Sequence, residues 1–285
     1  MLLFSSNLQE LLQLLLKQLN SLQKTIIKQK EEKESHESIC MALFSCFFFY
    51  FRVMKYKYIL FDLDRTLWDF QANSFQTFRE MYETFELGKL CNASFDEFYL
   101  QYKAINAVLW DMYRQGTLLK EVLYVKRFSL TLEYFGVVDC SDLSRKLGDF
   151  YVLEGPKKTG LVDGARQLLD YLQAKGYPMY IVSNGFKEVQ NEKIKTSNID
   201  SYFKKVYLSE DIGYQKPNRK IFDAILADLG VSGNECLMIG DDFAVDIVGA
   251  RNAGIDQIYY NPEAIKQEFQ PTFEVKNLRE IMNIL

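Results

Sequence analysis

An apolar run of four residues, Tyr58-Ile59-Leu60-Phe61, ends in two aspartates two positions apart, Asp62 and Asp64, with Thr66 close behind. Successive strand residues point to opposite faces, so carboxylates at this spacing start on the same side of a strand end. Their mutual repulsion makes the placement costly unless something cationic meets them. Mg²⁺ suits the pair, because it takes oxygen ligands and is usually held by one or two carboxylates together with substrate phosphate.

Further apolar runs predict strands near Pro178–Ser183, Lys205–Leu208, Cys236–Gly240 and Gln257–Tyr260. Helical patterns separate them at Gly164–Lys175, Glu188–Ser197, Asn218–Leu229 and Asp246–Ala253. Alternating strand and helix is the signature of a parallel sheet with helices on both faces. Open sheets of this class bind ligands beyond the carboxyl ends of their strands. The polar residues that end each run should therefore converge.

Between the first two apolar runs lies a block, residues 70–158, with helical periodicity and few strand signals. Asn73 is placed to cap a helix running to about Glu86. Ser94-Phe95-Asp96-Glu97 reads as a capping box for a helix reaching Tyr113, and further helices fit Lys120 to Phe135 and Ser141 to Leu153.

Asp62-Leu63-Asp64-Arg65-Thr66 after a hydrophobic strand resembles the first motif of the haloacid dehalogenase superfamily of phosphohydrolases. Three more of that family's motifs follow in order. Ile181-Val182-Ser183-Asn184-Gly185 resembles the second, Lys216-Pro217-Asn218 the third, and Gly240-Asp241-Asp242 with Asp246 the fourth. The resemblance implies a Rossmann-like parallel-sheet core, residues 54–69 and 159–285, with an inserted four-helix cap domain at residues 70–158.

It also implies an activity: Mg²⁺-dependent hydrolysis of a small-molecule phosphomonoester through an aspartyl-phosphate. In that scheme Asp62 is the nucleophile and Asp64 the general acid and base. Asp62, the backbone carbonyl of Asp64 and the carboxylate of Asp241 hold the metal, and Lys216 supplies a second positive charge. Thr66 is expected to donate a hydrogen bond to Asp64, and Ser183 to phosphate oxygens, with the amides of Asn184 and Gly185 serving the same oxygens. Asp242 or Asp246 supports the metal-bound water or Lys216, with Asp246 preferred. Arg65 departs from the family's commoner glycine and puts the local turn in question. True haloacid dehalogenases lack an aspartate at the Asp64 position, so its presence favours phosphate chemistry.

A narrower likeness concerns substrate. Asn106-Ala107-Val108-Leu109-Trp110-Asp111-Met112-Tyr113-Arg114-Gln115-Gly116, together with Trp68-Asp69-Phe70, Ser183-Asn184-Gly185-Phe186 and Lys216-Pro217-Asn218-Arg219-Lys220-Ile221-Phe222, resembles bacterial pyrimidine 5′-nucleotidases that clear noncanonical nucleotides. Asn106, Trp110 and Tyr113 are then candidate substrate contacts, although aromatics three apart on a helix more often pack a core. A phosphoglycolate or sugar-phosphate phosphatase of the same superfamily, and a non-enzymatic binding protein, stand as alternatives.

Composition narrows the chemistry further. The chain holds one histidine, His36, in the charged segment Lys30 to Glu37 and far from every motif. A Ser-His-Asp triad or a two-histidine metal site is thereby nearly excluded. A net charge of −4 gives no electrostatic footprint for a nucleic-acid polymer. Five scattered cysteines without a Cys-x-x-Cys support neither a disulfide framework nor a zinc site, and a reducing cytoplasm is the simplest compartment.

Residues 1–53 read differently from the rest. Leu8, Leu12, Leu15, Leu19, Leu22 and Ile26 form a short heptad seam, and Ile39 to Phe51 an apolar block. The block is shorter than the ~20 residues of a membrane span and lies too far from residue 1 for a secretory signal. Met54 immediately precedes the first strand, and the preferred reading starts the protein there, with residues 1–53 as upstream sequence outside the fold. A coiled-coil or membrane-associating extension is the competing reading.

Overall fold

Six strands form one fully parallel sheet in the order β3-β2-β1-β4-β5-β6. They are β1 (Tyr58–Phe61), β2 (Met179–Ser183), β3 (Phe203–Leu208), β4 (Cys236–Gly240), β5 (Asp256–Tyr260) and β6 (Phe273–Val275). The computed structural model describes residues 55–285, together with Lys17, Asn20, Ser21 and Lys24, which are helical and exposed. The heptad seam, the apolar block and the proposed start at Met54 lie outside the described residues.

Every residue of β2 and β4 is buried, as a parallel sheet covered on both faces requires. Apolar stripes on the flanking helices supply the cover. Ala165, Leu168, Leu169 and Leu172 form one buried stripe on α6 (Ala165–Ala174), and Ile221, Phe222 and Ile225 another on α9 (Arg219–Leu229). The α9 stripe packs with Leu60, Val182, Met238 and Ala250 into a single core cluster. The four expected strands are all present, and β6 is a three-residue edge strand too short to carry a pattern.

Between β1 and β2 the chain is helical: α1 (Phe70–Thr84), α2 (Leu87–Cys91), α3 (Phe95–Arg114), α4 (Lys120–Tyr134) and α5 (Ser141–Glu154). Their shared core is aromatic, built on Phe78, Phe98, Tyr102 and Phe128 with Met81, Leu132 and Leu147. The Ser94–Glu97 capping box forms as expected. Asn73 does not cap α1: Asp69 does, accepting from the Ala72 amide at 2.9 Å. Asn73 lies one turn inside, where its amide donates to the Gly160 carbonyl (2.8 Å) and its oxygen accepts from the Gly160 N–H (3.1 Å). The two chain passages joining helices to sheet are tied there, since Val162 N–H also donates to Leu67 O (2.9 Å) and the Trp68 indole to Lys158 O (3.0 Å).

The helix expected at Asp246–Ala253 begins earlier and wider. A π-type turn spans Phe243–Ile247, capped by the Asp242 side chain on Val245 N–H (3.1 Å), and continues into α10 (Val248–Asn252). Such turns concentrate at functional sites because the extra residue re-aims its neighbours. Here it turns Asp246 inward to 1% exposure. Among the described residues no helix is long and apolar enough to cross a membrane.

Candidate active site

Strand order brings the motifs together. β1 is flanked by β2 and β4, and the Asp62 N–H extends the ladder by donating to Ile239 O at 2.9 Å. Asp62, Ser183 and Asp241 therefore stand at three adjacent strand ends. All three line one cavity of about 610 Å³, whose opposite wall comes from α1, α3, α4 and α5.

Lys216 is the centre of the charge arrangement. It is 1% exposed, and its ammonium donates to Asp62 Oδ1 (2.7 Å), Asp246 Oδ1 (2.7 Å) and the Val182 carbonyl (2.6 Å). Burial alone would pull its pKa down; the carboxylates of Asp246 and Asp62 outweigh burial and hold it above the ordinary lysine value. Asn184 fixes the backbone from which it projects, accepting from Lys216 N–H (2.9 Å) and donating to Lys216 O (2.8 Å).

Around this one ammonium lie three carboxylates, Asp62, Asp241 and Asp246, with oxygens all within 4.8 Å of one another. Burial raises the Asp62 carboxyl against the pull of Lys216. Burial, followed by the Asp62 and Asp246 charges, pushes Asp241 up to about 8. Asp246 reaches about 7, with burial dominant and Lys216 opposing. Among the described residues Asp241 has no ion pair, only a hydrogen bond from the Thr66 hydroxyl at 3.2 Å. A buried, uncompensated oxygen donor beside a second carboxylate fits a hard divalent cation.

Thr66 departs from its expected role. Its hydroxyl is within hydrogen-bond distance of Asp62 Oδ2 (3.3 Å) and Asp241 Oδ1 (3.2 Å) and accepts from Asp241 N–H (3.1 Å), so it braces those two carboxylates and does not reach Asp64. Asp64 instead accepts from Gln190 Nε2 (2.7 Å) and Lys193 Nζ (2.5 Å), both on α7 (Lys187–Thr196). Lys193 is 5% exposed, with its ammonium 4.1 Å from the Trp68 ring centroid. Neither α7 residue figured in the sequence analysis.

Two glycines are required by close approach. A Cβ at Gly185 would lie 1.6 Å from Gln190 Nε2, and one at Gly240 would lie 2.3 Å from Asp246 Oδ2. The Gly185 N–H donates to Ser183 Oγ at 3.1 Å, and the Ser183 hydroxyl, on the cavity lining, keeps its own proton to donate. Arg65 takes up a left-handed conformation at φ 67°, so the turn that usually carries glycine forms here at a backbone cost of about 1 kcal/mol. Asp242 is the helix cap described above, and it is Asp246 that contacts Lys216.

Of the candidates on the helical wall, Asn106 and Trp110 line the cavity. Asn106 Oδ1 accepts from the Tyr102 hydroxyl at 3.4 Å, and Trp110 stacks on Phe186 at 5.4 Å. Tyr113 is not on the wall: it is packed with Leu109, Leu118, Leu123 and Phe186, so its three-residue spacing from Trp110 reflects a core contact.

Residues 56–254 match the family model for haloacid dehalogenase-like hydrolases. The chain is 33% identical over 235 residues to the HAD-hydrolase YfnB of Bacillus subtilis, covering 81% of this chain and 96% of YfnB. It is 32% identical over 235 residues to the pyrimidine 5′-nucleotidase PynA of Streptococcus pneumoniae, with the same coverage of each. The crystal structure of YfnB bound to magnesium superposes with a TM-score of 0.73 at 31% identity, covering 81% of this chain and 99% of that one.

Proposed function

Because this chain belongs to the haloacid dehalogenase-like hydrolases, as a phosphatase among them, we propose that it is a Mg²⁺-dependent 5′-nucleotidase that prefers pyrimidine nucleoside monophosphates. The observation that carries this reading is one cavity with two unlike walls. Its floor is the Asp62–Lys216–Asp246–Asp241 cluster, and its far wall holds Trp110, Tyr99 and Tyr102 with Asn106. A phosphate seated on the floor would leave its organic group among rings. The named activity of PynA supports the same assignment. In this reading residues 54–69 and 159–285 are the hydrolase core, and residues 70–158 a cap that completes the cavity.

The reaction divides between two carboxylates. An oxygen of Asp62 attacks phosphorus as the bond from phosphorus to the leaving oxygen breaks, and Asp64 hands that oxygen a proton. The aspartyl-phosphate is then cleaved by water, whose proton returns to Asp64 as the bond from phosphorus to Asp62 breaks. Asp62, the Asp64 carbonyl and Asp241 would hold Mg²⁺, which when bound neutralises charge on the transferring phosphoryl oxygens. Lys216 and the Ser183 hydroxyl aim positive charge and a hydrogen bond at the same oxygens, a preorganised arrangement that costs no reorganisation during reaction. Gln190 and Lys193 hold Asp64 at the cavity wall between the floor and the helices.

Metal removal gives the first expected outcome. Exhaustive chelation should abolish phosphatase activity, and Mg²⁺ should restore it. The chelated protein should also lose stability as pH rises. The folded Asp241 carboxyl, raised to about 8 by burial and neighbouring charge, favours folding while protonated. That contribution is fully present below the unfolded value of ~3.9 and is lost as pH climbs toward 8. The rise in melting temperature on adding Mg²⁺ should accordingly be larger at pH 8 than at pH 5. Activity that survives chelation, or a Mg²⁺ effect that shrinks with pH, would contradict the site.

The substrate reading is tested by a panel of phosphomonoesters with Mg²⁺. Uridine, deoxyuridine or thymidine 5′-monophosphate should exceed purine monophosphates and sugar phosphates in kcat/KM. Equal or better hydrolysis of phosphoglycolate would transfer the assignment to a small-acid phosphatase.

A further inference from the structure

Arg127 lies on α4, is 3% exposed, and lines the same cavity as Asp62. Its Nε and one Nη nitrogen are buried with no hydrogen-bond partner, and among the described residues it has no ion pair. The five acidic residues on the cavity wall all belong to strand-end segments of the core. Asp62 and Asp246 are taken by Lys216, and Asp64 by Lys193.

Unpaired buried cations are rare, because an unmade charged hydrogen bond costs the full desolvation of the group. Aromatic rings meet part of the need: the guanidinium carbon lies 5.2 Å from the Phe128 ring centroid and 4.9 Å from that of Tyr151. A ring face attracts the charge but gives the in-plane N–H groups no acceptor. The two unpartnered nitrogens belong to a rigid donor fork, suited to oxygen acceptors held in one plane. The Tyr102 hydroxyl, which donates to Asn106 (3.4 Å), interacts with Arg127 as well, and the Tyr151 hydroxyl lies within hydrogen-bond distance of Ser74 Oγ (3.2 Å), yet Nε and one Nη of Arg127 remain without a partner.

We propose that Arg127 is the residue that selects the leaving group, its free N–H edge donating to a carbonyl oxygen of a planar ring inserted between the cavity's aromatic side chains. The inference rests on the nucleotidase reading and deepens it. Phosphate is already provided for by Lys216 and Ser183 on the opposite wall. Arg127 is thus a buried cation on the helical wall, with donors unpartnered, available to the other end of the substrate. A polar site built to meet a substrate oxygen rejects an analogue lacking it, because its own donors stay unpaired.

The test crosses two substrates with two proteins. One substrate is thymidine 5′-monophosphate. The other is a phenyl C-deoxyriboside 5′-phosphate, which keeps sugar, phosphate and ring but has no carbonyl. Wild-type protein should favour the thymidine nucleotide in kcat/KM by about 30-fold or more, the size expected of a charged hydrogen bond. Arg127→Met should erase that preference by lowering the thymidine rate alone, and Arg127→Lys should restore part of it. Equal loss on both substrates, or a preference unchanged in Arg127→Met, would overturn the inference. A wild type with no preference for the carbonyl-bearing nucleotide would overturn it without any variant. Failure of the nucleotidase reading shows separately, as wild-type protein that hydrolyses phosphoglycolate faster than either nucleotide.

Discussion

Asp62→Asn should abolish turnover, lowering kcat by at least about 10⁴, in line with removal of a catalytic nucleophile elsewhere. The amide keeps the shape of the carboxylate but carries no anionic oxygen to attack phosphorus. Stability should change little. Lys216 keeps Asp246 and the Val182 carbonyl as partners, and the Asp246–Asp241 pair loses a buried negative neighbour. The loss should therefore be chemical: the variant melts within a few degrees of wild type and accumulates no acid-stable phosphoryl adduct on mass spectrometry. A rate within tenfold of wild type would end the assignment of Asp62 as nucleophile.

What could be read from the chain alone follows the physics of the sheet. Parallel strands covered on both faces must be continuous apolar runs, and Ile181, Val182, Leu237, Met238 and Ile239 carry that signal without reference to anything distant. The chemistry stands at the ends of those runs, so Asp62, Ser183 and Asp241 were legible with them. Gln190 and Lys193, which hold Asp64 from α7, were not. On α7, Gln190, Lys193 and Ile194 share one buried helix face at spacings of three and four, but Ile194 is the only apolar member. A face so polar reads as solvated until the fold shows that it is buried against Asp64. Arg127 was hidden in a similar way, among apolar neighbours that read as helix core.

Asn73 and Thr66 show a second limit. Both have side chains able to satisfy several partners: Asn73 was expected to cap its own helix, and Thr66, from the family resemblance, to donate to Asp64. Asn73 spans to Gly160, and Thr66 to Asp241. These partners exist because strand order places β4 beside β1 and returns the chain from the helices alongside its outward path. The widened turn that directs Asp246 to Lys216 is similarly a consequence of packing: the strand-end glycine, Gly240, admits the carboxylate where any side chain would collide.

Lys216→Met should damage the protein in two ways that can be separated. Removing the ammonium leaves Asp62, Asp246 and the Val182 carbonyl facing one another without their shared donor. Breaking a buried ion pair from one side costs about 3–5 kcal/mol, and for a unit the size of Tyr56–Leu285 that lowers the melting temperature by roughly 10 °C. The two carboxylates can recover part of this by binding protons. The variant should therefore regain stability relative to wild type as pH falls from 8 to 5. Neutralising the partner as well, in Lys216→Met with Asp246→Asn, should return several degrees of melting temperature at pH 8, since less buried charge is left uncompensated. Activity should not return, because no cation then faces the phosphate oxygens from this side, and kcat should stay at least about 10³ below wild type, the scale of losing a main electrostatic contact in the transition state. If stability and rate recovered together in the double variant, Lys216 would be a packing residue, and the phosphate would have to draw its compensation from elsewhere in the cavity.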